Sequence, residues 1–221
     1  MPLGVSALRR KGRPVIPVQP SEGCLWYCHL TGVLSAEPPA ADKGGILAEE
    51  MGMGKTVEVL SLMALTTEPM RSWQRSAASA PATLQRRKPR GGTLIVCPVS
   101  LYGQWKAEIK SKLKSSHGLS IYDYHTGRKF DPKMIAKHDV VLTTFSILNR
   151  EEDGVKLKSR SDAFTSPLKE IEWYRVVLDE CHVVKEPSTK QAKYCRSLQT
   201  SRRWAVTGTA MQTKKEDLAG L

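Results

Sequence analysis

The sequence predicts an α/β fold in which a mostly parallel β-sheet carries helices on both faces. Short apolar segments alternate with helical segments of about ten or more residues, and this alternation is typical of βαβ units and parallel strands. One segment, residues 93–97, is apolar throughout and ends at Pro98, as expected of a strand buried on both faces. The chain of 221 residues is 40% hydrophobic, which is enough to bury the core of one ordinary domain.

Strands and helices are expected in alternation along the chain. The six expected strands are residues 45–48, 93–97, 119–124, 139–145, 174–178 and 203–207. The first of them is short, precedes a glycine-rich turn and is expected to be buried. A helix over residues 55–66 is apolar on most of its faces.

Two further helices are indicated by capping residues and by apolar spacing. Ser100 is a suitable cap for the first of them. That helix carries apolar residues every four positions, at Leu101, Trp105, Ile109 and Leu113. A last helix is expected over residues 187–198, with Pro187 in its first turn. Ligands of parallel sheets bind at the carboxyl ends of strands, so the loops that follow residues 48, 97, 178 and 207 are the expected site.

The composition divides the chain into a lead-in and one main domain. Residues 1–43 are rich in Pro, Gly and short apolar pieces, and we expect an irregular lead-in there. Residues 44–221 form the expected domain. Within it, residues 69–92 are rich in Ser, Ala, Pro and Arg, which predicts a flexible basic insertion, and residues 150–168 are expected to form a surface insertion.

The charge balance favours a polyanionic partner. Lys and Arg number 34 against 22 acidic residues, which gives a formal net charge of +12. A solvated surface with a basic bias explains the same number equally well. No apolar run is long enough to span a bilayer, and the basic first residues exclude a secretory signal, so no membrane partner is expected. Of the five cysteines, Cys24 and Cys28 have a spacing that could form half of a zinc site. Ordinary thiols are the simpler interpretation of all five.

A glycine-rich loop follows the first expected strand. Gly52 and Gly54 let the backbone turn tightly, so that its amides and the positive end of the next helix can face a phosphate. Lys55 adds a charge for the β- and γ-phosphates, and Thr56 offers a hydroxyl to Mg²⁺. The pattern G-x-x-x-x-G-K-[ST] is met except at its first position. The predicted phosphate-binding residues are Glu49, Glu50, Met51, Gly52, Met53, Gly54, Lys55 and Thr56.

An acidic pair follows the strand at residues 174–178. A carboxylate at such a strand end can hold Mg²⁺, usually through water, and a second one can orient or deprotonate an attacking water. Asp179 suits the first role and Glu180 the second, with His182 on the γ-phosphate side. Such a pair is most often a solvated turn when it stands alone, but a phosphate loop in the same sheet makes it a strong signal. A third loop, residues 207–212, has hydroxyl groups that could bond to the acidic loop.

Five segments resemble, in order, motifs I, Ia, Ib, II and III of the Swi/Snf-related branch of the superfamily-two helicases, and in particular the repair helicases that bear a RING finger. They are GGILAEEMGMGKT (44–56), LIVCPVSLYGQWKAEI (94–109), VVLTTF (140–145), VVLDECH (176–182) and WAVTGTAMQTKKEDLAGL (204–221). The family consists of DNA-dependent ATPases that translocate on duplex DNA. The resemblance implies that residues 44–221 are the first of two RecA-like lobes, a P-loop NTPase fold.

The resemblance also implies cofactors and roles. ATP and Mg²⁺ are the implied cofactors, with Lys55 and Thr56 as their contacts, Asp179 as a metal ligand and Glu180 as the catalytic residue. Motif Ia near residues 98–104 and motif Ib near residues 143–145 would face the DNA backbone. The stripe of Lys106, Lys110 and Lys114 beside them is either a DNA contact or a solvated helix face.

The chain departs from the family pattern at four positions. Motif I has Glu49 and Met53 where the family usually has Asp and Leu, and motif III has Ala210 and Thr213 where Pro and Asn are common. These changes spare the groups that touch phosphate, metal or water, and they leave open whether motif III still couples ATP to DNA.

These observations predict the ATP-binding lobe of a DNA-dependent ATPase that acts in chromatin remodelling or DNA repair, in the nucleus, on duplex DNA. Nucleosomes and ubiquitin-pathway proteins are further candidate partners. The alternatives are a catalytically silent DNA-binding or interaction module and a P-loop enzyme unrelated to nucleic acid. We expect no second lobe and no arginine finger within residues 1–221. Because an arginine finger is worth roughly 10³ to 10⁵ in rate, we expect this chain to bind MgATP but to need a second lobe for hydrolysis.

Overall fold

The computed structural model describes residues 43–78, 88–113, 118–124, 131–157 and 166–208, together with the backbone of four short strands that lie before residue 36. The chain divides into two compact units, Met1–Gly45 and Ile46–Leu221. Each unit is described by itself below.

The first unit contains an antiparallel sheet. Its strands are β1 (Leu8–Arg10), β2 (Arg13–Val18), β3 (Leu25–Cys28) and β4 (Leu34–Ser35), and they pair in chain order. The expectation of an irregular lead-in over residues 1–43 is therefore wrong for these segments. Strand β2 contains Pro14 and Pro17, but the β-branched and aromatic residues around them suit paired strands, and Ile16 lies opposite Tyr27.

The second unit alternates strands and helices. In chain order these are β5 (Gly45–Leu47), α1 (Lys55–Leu65), α2 (Thr67–Ala78), β6 (Arg90–Cys97), α3 (Val99–Lys112), β7 (Ile121–Asp123), α4 (Pro132–Ile135), β8 (Val140–Thr144), α5 (Phe145–Leu157), β9 (Glu172–Asp179), α6 (Lys190–Ser197), β10 (Gln199–Thr200) and β11 (Arg203–Val206). The strand order is β5-β11-β9-β6-β8-β7, with β10 beside β9. The pairs β6–β8, β6–β9, β7–β8, β9–β10 and β9–β11 are all parallel, which confirms the predicted α/β class.

The core lies on both faces of the central strands. Leu94 and Val96 of β6 belong to a cluster that includes residues of α5 and α6. Ile95 and Cys97 point the other way, into a cluster with residues of α1 and α3. Because side chains alternate along a strand, β6 is covered by helices on both sides, and the predicted two-sided layering is confirmed.

Some boundaries differ from the expected ones. Helix α3 begins two residues earlier than expected, with Pro98 rather than Ser100 as its cap residue. Helix α6 begins at Lys190, where the Thr189 hydroxyl accepts a hydrogen bond from the Ala192 amide at 3.2 Å, so Pro187 precedes the helix. Strand β5 was expected to be buried, but it lies at the edge of the sheet and Ile46 is 43% exposed.

The first expected insertion is largely ordered. Helix α2 covers residues 69–78 of the stretch predicted to be flexible, and β6 begins at Arg90. Met70 is buried, and the Trp73 ring packs edge-on against Tyr174 at 5.6 Å. These two apolar residues form the packing face of a helix that is otherwise mostly polar, and the overall composition of the segment did not indicate such a face. Residues 79–87 lie outside the described part of the chain.

The second expected insertion, residues 150–168, is partly buried. Helix α5 continues to Leu157, and Ser166 and Leu168 are buried at the start of a short 3₁₀ turn, Pro167–Glu170. The buried carboxylate of Glu151 on α5 accepts hydrogen bonds from three hydroxyls, those of Tyr124, Ser166 and Tyr194. This polar cluster connects α5 to α6, so the surface prediction is wrong for Glu151 and for residues 166–168. Residues 158–165 are not described.

A partly buried ion pair holds α2 against the sheet. Arg71 donates from Nε to Asp139 Oδ1 and from Nη2 to Asp139 Oδ2, both at 2.9 Å. The backbone amide and hydroxyl of Ser120 donate to the same Oδ2. Burial acts to raise the pKa of Asp139, but the hydrogen bonds from Arg71 and Ser120 outweigh it and leave the pKa below its usual value.

We expect Gly92→Ala to destabilise the protein. A Cβ at this position would lie 2.2 Å from the backbone oxygen of Asp139, so β6 and the start of β8 would have to separate. The expected loss is about 1–3 kcal/mol, or several degrees in the midpoint of thermal unfolding. Gly154→Ala in α5 is the control, because nothing lies within 4 Å of its added Cβ and alanine favours helix. Equal midpoints for the two variants would contradict the close approach at Gly92.

We expect the Arg71–Asp139 pair to stabilise the fold at neutral pH and to lose its effect in acid. Because the folded pKa of Asp139 is lowered from 3.8, its contribution is present above that value and disappears as pH falls through the folded pKa. Asp139→Asn should cost roughly 2 kcal/mol of unfolding free energy at pH 7, and the difference from the parent should shrink below about pH 4. Asp153→Asn, which breaks a half-exposed pair with Lys190, should cost under about 1 kcal/mol. A pH-independent difference at Asp139 would count against this ionic role.

Candidate functional site

The loop between β5 and α1 has the backbone of a phosphate cradle. Gly52 and Gly54 have φ values of 84° and 94°, in the left-handed region that other residues rarely adopt. An added Cβ would have open space at both glycines, so the backbone conformation and not crowding requires glycine there. Gly54 is the N-cap of α1, and the first amides of a helix have no partner within it, so they are available to an anion.

Lys55 lies across this loop. Its ammonium donates to the backbone oxygens of Glu49 at 2.7 Å and Glu50 at 2.8 Å. The residue after β11 approaches the same place, since a Cβ on Gly208 would lie 3.0 Å from Met51 Cγ and 3.7 Å from Lys55 Nζ. The start of the third predicted loop therefore lies against the phosphate loop, while residues 209–221 are outside the described part.

Asp179 ends β9 with both carboxylate oxygens hydrogen-bonded. The indole Nε1 of Trp105 donates to Oδ2 at 2.6 Å, and the Glu180 amide donates to Oδ1 at 3.0 Å. Burial raises the pKa of Asp179, while these two hydrogen bonds and the charge of Lys55 act to lower it. Each oxygen retains a second lone pair that could accept from a metal-bound water.

Glu180 has a strained backbone. With φ 50° and ψ 52° it is the one non-glycine residue of positive φ in the described chain, a conformation that costs on the order of 1–3 kcal/mol. Its neighbours Asp179 and Cys181 are buried and hold it in place. Nδ1 of His182 lies 3.0 Å from Glu180 Oε2, an ion-pair distance outside hydrogen-bond geometry.

These groups fit a nucleotide with Mg²⁺. Strands β5, β11 and β9 are neighbours, so the loops that follow them share one edge of the sheet. The loop amides and Lys55 could donate to phosphate, and Thr56 and Asp179 could supply oxygen ligands to Mg²⁺. Mg²⁺ usually takes one or two protein oxygens together with water and phosphate, and the described residues contain no larger cluster of metal-binding side chains.

Trp105 is the site residue that the sequence did not reveal. Its four-residue spacing with apolar neighbours indicated a core position, and its ring is indeed buried in the cluster between α3 and α1. The hydrogen bond to Asp179 joins residues that are 74 positions apart in the chain. In the sequence, only the indole N–H of Trp105, a polar group on an otherwise apolar helix face, indicated that this residue needs a hydrogen-bond partner.

The segments that were predicted to face DNA differ in how exposed they are. The side chains of Thr143, Thr144 and Phe145 are buried, so they do not face outward as motif Ib was expected to do. The first turns of α3 are more open, with Val99 63% exposed. In the lysine stripe, Lys106 forms an ion pair with Asp123 and Lys110 is exposed, while Lys114 lies outside the described residues.

The described cysteines are ordinary buried thiols. Cys97, Cys181 and Cys195 are free, and burial raises the pKa of Cys97 and Cys195 to about 12 and that of Cys181 to about 11. The side chains of the half zinc site at Cys24 and Cys28 lie outside the described part. Among the helices that the structure describes, none has the length and apolar composition needed to cross a bilayer.

Comparison with known proteins identifies the family. The SNF2-related domain model matches residues 22–221. DNA repair protein RAD5B of Arabidopsis thaliana is 37% identical over 192 residues, which cover 81% of this chain and 14% of that protein. An uncharacterized ATP-dependent helicase of Schizosaccharomyces pombe is 33% identical over 218 residues, 94% of this chain and 19% of the helicase.

Solved structures agree with this match. The Sulfolobus solfataricus SWI2/SNF2 ATPase core in complex with dsDNA has a TM-score of 0.56 and 27% identity, and the match covers 80% of this chain and 30% of that one. This chain thus spans less than a third of each of these three proteins. The family model covers nearly the whole sequence, and the RecA-like fold agrees with it. The chain therefore belongs to the SNF2-related family.

Proposed function

We propose that this chain is the ATP-binding lobe of a DNA-dependent ATPase that acts on duplex DNA in chromatin remodelling or DNA repair. The observation that carries the proposal is the convergence of Lys55, Gly208 and the Asp179–Glu180 pair at one edge of the sheet. An accidental glycine-rich turn would have no reason to meet an acidic strand end there.

Each residue of the site has a role in this proposal. Lys55 would exchange its contacts with two loop carbonyls for oxygens of the β- and γ-phosphates, and the loop amides from Glu49 to Gly54 would hold the same groups. Thr56 and Asp179 would hold Mg²⁺, which offsets phosphate charge when bound. Glu180 would orient the attacking water and accept its proton, with His182 beside it.

Duplex DNA is the proposed macromolecular partner. The Sulfolobus relative is described in complex with dsDNA, and a formal net charge of +12 favours a polyanion. The exposed first turns of α3 offer the surface for this contact. The name of the plant relative, a DNA repair protein, supports the proposal of a nuclear location. Nucleosomes and ubiquitin-pathway proteins are further proposed partners.

We expect Lys55→Ala to weaken the binding of a fluorescent ATP analogue at least about tenfold in the presence of Mg²⁺, because charge-assisted contacts with phosphate are lost. Lys193→Ala, which removes an exposed lysine of α6, is the matched control and should bind like the parent. Fluorescence anisotropy of the analogue gives the affinities. Unchanged binding by folded Lys55→Ala would remove the basis of the proposal.

We expect Glu180→Gln to bind the analogue normally and to lose any ATP turnover, because the amide cannot accept a proton from water. Steady-state hydrolysis with and without duplex DNA measures this. DNA-stimulated turnover that disappears in the variant supports a working site. If the parent binds nucleotide but DNA never affects turnover or affinity, the silent-module alternative is the better description.

We expect the logarithm of the duplex DNA association constant to fall linearly with the logarithm of salt concentration, because lysine contacts release counterions. Lys110→Ala on α3 should lower the slope by about one, while Lys193→Ala on α6 should leave it unchanged. Titrations at several salt concentrations provide the slopes. Equal slopes for the two variants would move the DNA contact away from α3.

A further inference from the structure

We propose that Trp105 is a positioning residue for the Mg²⁺ site: its indole N–H fixes the Asp179 carboxylate, so that the placement of α3 sets the orientation of a metal ligand. The inference rests on the proposed function, because that function assigns Asp179 to Mg²⁺. It adds a residue outside the phosphate loop and the acidic pair, and it gives α3 a direct connection to the site.

The hydrogen bond is short and excluded from water. Trp105 is 2% exposed and Asp179 is 7% exposed, and the Nε1–Oδ2 distance is 2.6 Å. A hydrogen bond to a carboxylate is about twice as strong as a neutral one, and leaving a buried carboxylate without its donor is costly. The contact therefore constrains both partners.

Trp105 is the tertiary partner that orients the carboxylate. The other donor, the Glu180 amide, belongs to the next residue and moves with Asp179. The indole comes from a different element, and it restricts rotation of the carboxylate relative to the rest of the fold. A metal that binds through one or two protein oxygens depends on such restriction, and loss of a ligand's hydrogen-bond partner typically lowers metal affinity about 10–100-fold.

The ring of Trp105 cannot move independently of the site. It belongs to one buried cluster with Val59 and Leu60 of α1, Val177 of β9 and Val206 of β11. Helix α1 begins at Lys55, and β9 ends at Asp179. A shift of α3 would thus act on the carboxylate through a rigid, close-packed contact.

The opposite side of α3 is accessible. Val99, Gly103 and Gln104 are exposed, and Gln104 directly precedes Trp105. A partner that contacts this surface, which the proposed function identifies as duplex DNA, would therefore act one residue away from the indole that holds Asp179.

Trp105→Phe tests the inference, because it removes the N–H and keeps an aromatic ring. We expect the Mg²⁺ concentration for half-maximal binding of the ATP analogue to rise at least about tenfold, with binding in EDTA unchanged. The matched control is Trp173→Phe. Trp173 is also buried, and its indole donates to the Leu168 backbone oxygen at 3.0 Å, at the other end of β9. This control should keep the parent's Mg²⁺ requirement.

A measurement on the unaltered sequence covers the case in which Trp105→Phe does not fold. The chain has five tryptophans, so its ¹⁵N spectrum should contain five indole signals. The signal that moves most in Asp179→Asn would be assigned to Trp105, whose indole donates to that carboxylate. We expect Mg²⁺ with a non-hydrolysable ATP analogue to shift it, and duplex DNA added to that complex to shift it again.

The outcomes separate the inference from the proposed function. If the parent shows no Mg²⁺-dependent nucleotide binding, the proposed function is wrong. If the parent binds but Trp105→Phe and Trp173→Phe have equal Mg²⁺ requirements, the positioning role is wrong and the proposed function stands. An indole signal that responds to nucleotide but not to saturating DNA would overturn the link through α3.

Discussion

The burial of β9 between its neighbours is the constraint on which the rest of the site depends. This strand is hydrogen-bonded to β6, β10 and β11, and seven of its eight residues are buried. Because the strand is held along its length, its last residue, Asp179, has a fixed position at the edge of the sheet where the loops after β5 and β11 also begin. The phosphate loop can then be an exposed, glycine-rich segment, since its partner across the site does not move.

The same strand holds α1 near both of its ends. Arg175, four residues before Asp179 and 2% exposed, donates to the Thr66 hydroxyl at 2.7 Å, next to the last turn of the helix. Burial lowers the pKa of Arg175 to about 10. At the other end of α1, the charge of Lys55 acts on Asp179. Burying a guanidinium whose partner is a neutral hydroxyl costs free energy. The hydrogen bond from Arg175 to Thr66 fixes α1 relative to β9.

The sequence was most informative where local pattern and tertiary structure agree. The apolar run at residues 93–97 predicted a fully buried strand, and the helix start at Lys55 was correct. Helix α2 was missed because Met70 and Trp73 alone supply its packing face within basic, serine-rich sequence. The Trp105–Asp179 bond was beyond prediction because it joins α3 to β9 only once the sheet has formed. The burial of Thr143 was likewise set by the strand order and not by local composition.

The left-handed backbone of Glu180 makes this position a point where stability and activity compete. Glycine or asparagine would adopt φ 50° at lower cost, so either would relax the turn and stabilise the fold while removing the carboxylate. A library of variants selected only for thermal stability should therefore accumulate substitutions at residue 180. The same library selected for turnover should retain the acid. The gain in unfolding free energy of the selected residue-180 variants over the parent would measure the strain in the turn.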